Sequence, residues 1–273
     1  LKYGRDLPWR RTTDPYHILV SEIMLQQTRA ERVILKYEPF LSQFPDFETL
    51  AAASPGEVLS AWQGLGYNRR ALSLRKLAIR VEEDFGGILP CDERDLRGLP
   101  GVGPYTAAAI LVFAFNRPVV LIETNVRRVY LHCFFSSRNG VSDTEIRPLV
   151  SGTMDRENPR DWYNALMDYG AFLSALPENP NRRSRHYQRQ SPFEGSVRQV
   201  RGAILKVLVG CGEVTEKDLI RELEQPPPAR VHRALSQLER EGFLEREMGI
   251  VRIAGGNREK GLSSEVVSQQ NEE

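Results

Sequence analysis

Glu22 stands in the run Ser21-Glu22-Ile23-Met24-Leu25-Gln26-Gln27-Thr28, and its neighbours decide what its carboxylate can do. Asp14 before Pro15 is a helix-start signal, an N-cap followed by proline in the first turn, and the spacing predicts a helix over 16–27. On that helix Glu22 shares a face with Ile18 and Leu25, while Leu19, Val20 and Ile23 cover the adjoining stripe. A carboxylate so placed is buried or lines a pocket. Desolvation then disfavours its charged form and raises its pKa, which suits a general acid. The plainer reading is a glutamate at the edge of an amphipathic face with its charge in water, and a lone Glu would favour it. The rest of the chain argues for the first.

A second segment with chemistry in it is Leu99-Pro100-Gly101-Val102-Gly103-Pro104-Tyr105-Thr106, between two helical stretches. Its glycines allow a tight turn with positive φ and close approach of a ligand to the backbone. The helix that follows begins with unpaired N–H groups and the positive end of its dipole, which together make an anion site. A DNA phosphate fits there, because such a contact positions a duplex without reading its sequence. An ordinary helix–helix turn is the alternative, but the Tyr-Thr-Ala continuation makes the motif more specific than a lone Gly-x-Gly.

The elements that must hold these groups are helices almost throughout residues 1–190. Ser54-Pro55-Gly56-Glu57 is a capping box opening a helix that ends near Gly64. Further helices are predicted over 71–85, stopped by Gly86-Gly87, from Asp92 to Gly98, and over 105–115, 125–135 and 159–176. Residues 119–122 are an apolar run that reads equally as a strand or a buried entry segment. Pro177, Pro180 and Pro192 bracket a loop bearing Arg182, Arg183, Arg185, His186 and Arg189, a positive surface expected to contact phosphate. A second module over 196–255 shows helix, helix, a Pro226-Pro227-Pro228 break, helix and two β-like pieces, a winged-helix pattern. Residues 256–273 are polar and expected to be disordered.

In the third helix of that module Val231, Leu235 and Leu238 form an inward stripe, and Arg230, Arg233, Gln237 and Arg240 recur on another. The basic stripe is expected to bind DNA, with the glutamine amide able to read a base edge. Solvation, or docking of a protein partner, is the plainer use of such a face.

In bulk, 273 residues allow two domains, each with its own core. Lys+Arg of 37 against Asp+Glu of 36 leaves a formal net charge of +1, so a nucleic-acid partner must be argued from local patches. Cys91, Cys133 and Cys211 form neither a disulfide framework nor a CxxC pair, which fits a reducing cytosol. With no signal-peptide pattern and no apolar run long enough for a bilayer, a soluble cytoplasmic protein without a membrane partner is expected. The chain begins at Leu1 inside what reads as a helix in progress, so a missing native start is also expected.

Glu22 in its setting, Gly64-Leu65-Gly66-Tyr67, the hairpin from Leu99 and Asn125-Val126-Arg127-Arg128-Val129 follow one another in a telling order. With Leu7-Pro8-Trp9-Arg10 before them and Ala165-Leu166-Met167-Asp168-Tyr169-Gly170 after, the first 175 or so residues resemble the helix-hairpin-helix DNA glycosylase superfamily. Within it they are most similar to the A/G-mismatch-specific adenine glycosylases. The resemblance implies an all-α fold of two helical subdomains with the active site in the cleft between them, followed here by the small winged-helix module. It also implies a monomer acting on double-stranded DNA that carries a mismatch or damaged base, in a nucleoid-associated setting.

Residue by residue, the resemblance gives Glu22 the role of general acid to the departing purine. Tyr105 takes the position where monofunctional members keep a tyrosine and the strand-cleaving branch, similar to endonuclease III, a Schiff-base lysine. Leu25 and Gln27 match positions that probe the duplex around the flipped base. Gly66, Tyr67, Leu99, Gly101, Val102 and Gly103 match DNA-holding turns, and Asn125 a polar residue at an active-site helix start. Two departures stand out. Glu123 replaces the family's second carboxylate, an Asp, with Thr124 where a glycine is usual; beside a helix start and Arg127 and Arg128, Glu123 is expected to stay ionised. The four cysteines that ligate an iron–sulfur cluster in relatives have no counterpart in residues 174–183, and three scattered thiols cannot replace them, so no cluster is expected. A monovalent cation at the hairpin is the one ion the resemblance still allows. Hydrolysis of the N-glycosidic bond of a flipped base is thus the expected activity, adenine first. A mismatched thymine or uracil, another damaged base, and a non-cleaving DNA-binding regulator or lesion sensor are the alternatives.

Overall fold

The computed structural model describes residues 3–188, 194–224 and 226–255; the expected disordered tail and Arg189 lie outside the described residues. Through the first 188 residues the chain is helical, and several starts are chemically enforced. The first helix, α1 (Pro15–Leu25), is N-capped by Asp14, whose carboxylate accepts from the His17 N–H. It is followed by α2 (Ala30–Gln43), α3 (Phe47–Ala52) and α4 (Pro55–Ala61), the last opened by the Ser54/Glu57 capping box. Next come α5 (Arg69–Phe85), closed by Gly86 in the left-handed region, and α6 (Glu93–Gly98), capped by Asp92. Then follow α7 (Pro104–Phe113), α8 (Thr124–Phe134), α9 (Asp143–Thr153) and α10 (Pro159–Ser174).

These helices form two groups. Around α1 pack α2, α5 and α7, with Leu19, Val20 and Met24 fully enclosed; α8 packs on α9 and α10 in the other group. The N-terminal segment crosses to the second group through one anion. Asp168 on α10 accepts from Arg5 Nε at 2.7 Å and from both Arg10 Nη atoms at 2.8 and 2.9 Å. Burial alone would raise this carboxyl, but the Arg10 and Arg5 bonds outweigh it and hold it below its ordinary value.

Several expectations are corrected here. Helices α2, α3 and α9 were not foreseen; α2 and α9 carry Pro39 and Pro148 inside them, residues that read as breaks in a sequence. Residues 119–122 are an entry segment without regular structure, in which the Tyr163 hydroxyl accepts from the Leu121 N–H and donates to the Val119 carbonyl. The arginine loop packs as a short turn, Pro180–Arg183, whose backbone pairs with Val141. There Arg183 Nη1 donates to the carbonyls of Phe135, at 3.0 Å, and Ser136, just beyond the end of α8.

The C-terminal unit contains α11 (Val197–Cys211), β1 (Glu213–Thr215), α12 (Glu216–Glu222), α13 (Pro228–Arg240), β2 (Leu244–Glu247) and β3 (Ile250–Ile253). Its antiparallel sheet has the order β1-β3-β2, with Val214 opposite Val251 and Leu244 opposite Ile253. Val231, Leu235 and Leu238 of α13 are buried with Ile204 and Leu208 of α11, and α11 also rests on α4. No described helix is long and apolar enough to cross a membrane.

Candidate active site

Helices α1, α7 and α8 bring three side chains to one cavity of about 460 Å³, within the usual range of about 300–1,000 Å³ for small-molecule sites. Glu22, two turns into α1, is only 6 % exposed. Its nearest polar partner is the Tyr105 hydroxyl on the first turn of α7, which donates to Oε2 at 3.4 Å. Burial, and then the charge of Glu123, push the Glu22 carboxyl up to about 7, against the lowering effect of the Tyr105 bond. Tyr105, enclosed by the same atoms and facing the two carboxylates, is driven well above its ordinary value and stays a neutral donor.

Glu123 is held differently. It is the N-cap of α8, with Oε1 accepting from the N–H groups of Asn125 at 2.6 Å and Val126 at 2.9 Å. Asn125 Nδ2 adds a bond to Oε2 at 3.3 Å, while Asn125 Oδ1 takes one from Arg128 at 2.6 Å. Arg128 also donates to the Gly170 carbonyl at 2.6 Å. Gly170 is where α10 touches the start of α8: a Cβ there would lie 2.4 Å from the Asn125 carbonyl oxygen. Glu123, expected to stay ionised beside the helix start, is shifted upward like Glu22. Both carboxyls are raised, because burial acts on Glu123 as well and exceeds the pull of the Val126 and Asn125 N–H groups and of Arg128 and Arg127. The order between them survives, since Glu123 has the fixed donors and Glu22 has one long bond. Of the two, Glu22 keeps its proton to the higher pH.

Leu25 and Gln27 also line the cavity, Leu25 half-buried at the last turn of α1 and Gln27 exposed just beyond it. The helix stops two residues sooner than its periodicity predicts, because Gln26 leaves the helical region at ψ 111° and Gln27 follows with a left-handed φ of 54°. Arg70, which sequence reasoning missed, enforces that stop: its guanidinium donates to the Ile23 and Met24 carbonyls at 2.8 and 2.7 Å and to the Gly66 carbonyl at 2.9 Å. One buried arginine thereby ties the end of α1 to the turn where Gly66 and Tyr67 adopt φ of 73° and 48°. Gln26 was missed as well; its amide bridges to Thr106 Oγ1 at 3.0 Å and locks α1 to the hairpin. Gln26 stood in the run quoted around Glu22, whereas Arg70, between the turn ending at Tyr67 and the helix predicted over 71–85, lay outside every run singled out.

In the hairpin, Gly101 has the expected positive φ, 82°, and a Cβ on it would meet Ser73 at 3.0 Å. Gly103 does not need its freedom: it is the N-cap of α7 in extended geometry, without a side-chain cap, so the first-turn N–H groups point outward. The side chains of Leu99 and Val102 are buried and anchor the turn. Arg182 and Arg185 are exposed but do not line the cavity. On α13, Arg230 donates to the Gly195 carbonyl, Arg240 to the Ser236 carbonyl of its own helix, and Arg233 is exposed, while Gln237 is half-buried beside Arg201.

This arrangement can deliver a proton from Glu22, set a carboxylate against developing positive charge at Glu123, and hold an anion at the start of α7. The family model described as HhH-GPD superfamily base excision DNA repair protein matches residues 20–149. The adenine DNA glycosylase of Mycolicibacterium smegmatis is 33 % identical, over 88 % of this chain and 88 % of its own. A thymine-DNA glycosylase of Aeropyrum pernix is 41 % identical over 58 % of this chain and 72 % of its own. A solved thermostable thymine-DNA glycosylase superposes with a TM-score of 0.57 at 30 % identity, covering 64 % of this chain and 82 % of that one. The chain therefore belongs to the HhH-GPD superfamily of base excision DNA repair proteins.

Proposed function

We propose that this protein is a monofunctional DNA glycosylase that hydrolyses the N-glycosidic bond of a base flipped out of a mismatched duplex, adenine before others. The observation that carries the reading is that Glu22, Glu123 and Tyr105 line one cavity, with the Tyr105 hydroxyl donating to Glu22. Flipping costs a few kcal/mol, least at a mismatch. Glu22 then donates its proton to the purine ring as the bond from C1′ to the base nitrogen breaks and its electron pair leaves with the base. Glu123 faces the oxocarbenium-like sugar with a charge fixed by the start of α8. Water adds at C1′ and gives up a proton that returns to the Glu22 carboxylate, which restores the acid. A lyase step has no amine to carry it, since tyrosine stands at position 105.

Similarity to adenine glycosylases over nearly the whole chain favours adenine. Mismatched thymine or uracil is the second reading, favoured by the 41 % identity to the thymine enzyme. Releasing bases from a panel of duplexes with A, T or U opposite each partner tests both. Adenine released fastest supports the first reading, thymine or uracil the second, and no release from any duplex leaves only a binding protein.

The iron–sulfur cluster of relatives does not fit the donors here. Cys91, Cys133 and Cys211 are exposed at separate places, and among the described residues no three His, Cys, Asp or Glu side chains gather as a metal site. The segment that would follow α10 is instead pinned by Arg128 to Asn179 at 3.0 Å and by Val141 to Arg183. No step requires a metal. At the hairpin, the Leu99 carbonyl accepts from Val102 and the Gly101 carbonyl from Gln26, each with a second lone pair for a monovalent cation. We read the C-terminal unit as a winged helix, on its order of helices and its three-stranded antiparallel sheet.

A further inference from the structure

A second opening, of about 1840 Å³, separates α11 from the hairpin face of the helical region. Gln27, Thr28 and Arg29 line both this cleft and the catalytic cavity, so the two adjoin. One wall is the turn from Gly64 to Tyr67 together with Gly101 of the hairpin. The other is α11, which presents Arg198, Gly202 and Lys206 at successive turns of one face.

Charge is concentrated here. The lining carries eight arginines and lysines against two glutamates, in a chain whose formal net charge is +1. Arg70 and Arg201 are committed to carbonyls and to Glu241, yet the excess remains strongly positive. Gly202 adds a steric observation. A glycine inside a helix weakens it, and here a Cβ would meet nothing within 4 Å, so no packing calls for it. Its absent side chain exposes helix backbone between two basic residues, where a phosphodiester can approach closely. Arg198 also reaches across the cleft: its Nη1 donates to the Tyr67 hydroxyl at 2.9 Å. Of the basic stripe expected on α13, only Gln237 reaches the cleft; Arg230, Arg233 and Arg240 do not line it.

We propose that α11, and not the outer face of α13, is the element through which the C-terminal unit grips DNA. Its Arg198–Gly202–Lys206 face takes phosphates of the strand opposite the flipped base, while Arg198 holds Tyr67 beside that strand. The proposal rests on the glycosylase reading, which puts a duplex at the mouth of the catalytic cavity.

The test is equilibrium binding of the full chain to a labelled duplex with one A·G mismatch, across a series of salt concentrations. Gly202→Glu and Lys206→Glu are expected to weaken binding about tenfold or more, and Lys206→Glu to reduce the salt slope by roughly one. Arg233→Glu is expected to change affinity less than about twofold, and Gly202→Ala, whose methyl stands where the phosphodiester approaches, to weaken binding while melting no lower than the wild type. Neutral methylphosphonate linkages opposite the adenine should weaken the wild type more than Lys206→Glu; in the adenine strand they should weaken both alike. A larger loss from Arg233→Glu than from either α11 variant overturns the proposal. So do α11 variants that bind as tightly as the wild type, or more tightly as they would if α11 were a plug, and a strand effect that is reversed. Base release with unaffected α11 variants removes this inference alone, whereas a wild type that binds no duplex at any salt removes the glycosylase reading with it.

Discussion

Glu22 and Glu123 face one cavity from two walls built on opposite principles. On the α1 wall, Glu22 projects from the middle of a helix among Ile18, Leu19 and Leu25, with one long bond from Tyr105. On the α8 wall, Glu123 caps a helix and accepts two backbone N–H groups and an amide, backed by Arg128 and by the contact of Gly170 with Asn125. A carboxylate left without donors holds its proton; one surrounded by donors is fixed in place and yields its proton first. The same side-chain type thus supplies an acid on one wall and a fixed charge on the other.

The largest effect should come from removing the proton on the α1 wall. Glu22→Gln keeps the shape but cannot donate, and single-turnover base release should fall about 10²–10⁴-fold with duplex affinity little changed. Glu123→Gln keeps an oxygen for the cap but loses the charge, and release should fall about 10²–10³-fold. Glu123→Asp probes the departure from the family's aspartate; activity equal to or above the wild type would show that the longer side chain is a tolerated variant of one role.

Stability separates the walls in a second way. With its carboxyl raised from 4.5 to about 7, Glu22 binds its proton more tightly folded than unfolded. That contribution is fully present below the unfolded value and is lost as pH rises through about 7, a fall of about 3 kcal/mol. Urea unfolding at pH 5 and pH 8 should therefore show Glu22→Gln gaining on the wild type at the higher pH by roughly that amount. A gap that does not change with pH means that Glu22 is not held protonated. The smallest effect is structural: Gly170→Ala forces a methyl against the backbone of Asn125 and should cost about 1–3 kcal/mol, with a loss of activity that leaves the pH dependence from Glu22 intact.

Much of this was legible in the chain. Asp14-Pro15, Ser54 with Glu57 and Asp92 begin helices where the sequence places them, because capping is local chemistry. Glu22 among apolar residues was readable for the same reason: helical periodicity alone puts Ile18 and Leu25 beside it. What depended on distant partners was not. Arg70 reaching back to Ile23 and Met24, and Asp168 gathering Arg5 and Arg10, join residues far apart in sequence that no spacing rule connects. Burial of Glu123, which raises its carboxyl, and the bonds from Arg183 to the carbonyls after α8 are likewise tertiary facts.

The central claim is that a protonated Glu22 performs the chemistry, and the pH dependence of single-turnover adenine release by saturating enzyme tests it most directly. The account predicts a rate that declines about tenfold per unit above a midpoint near pH 7, as Glu22 loses its proton, and an acid-side decline as Glu123 gains one. In Glu22→Gln the decline near 7 should vanish along with most of the rate. A wild-type rate that stays flat from pH 6 to pH 9, or a Gln variant that releases base as fast as the wild type, would contradict it.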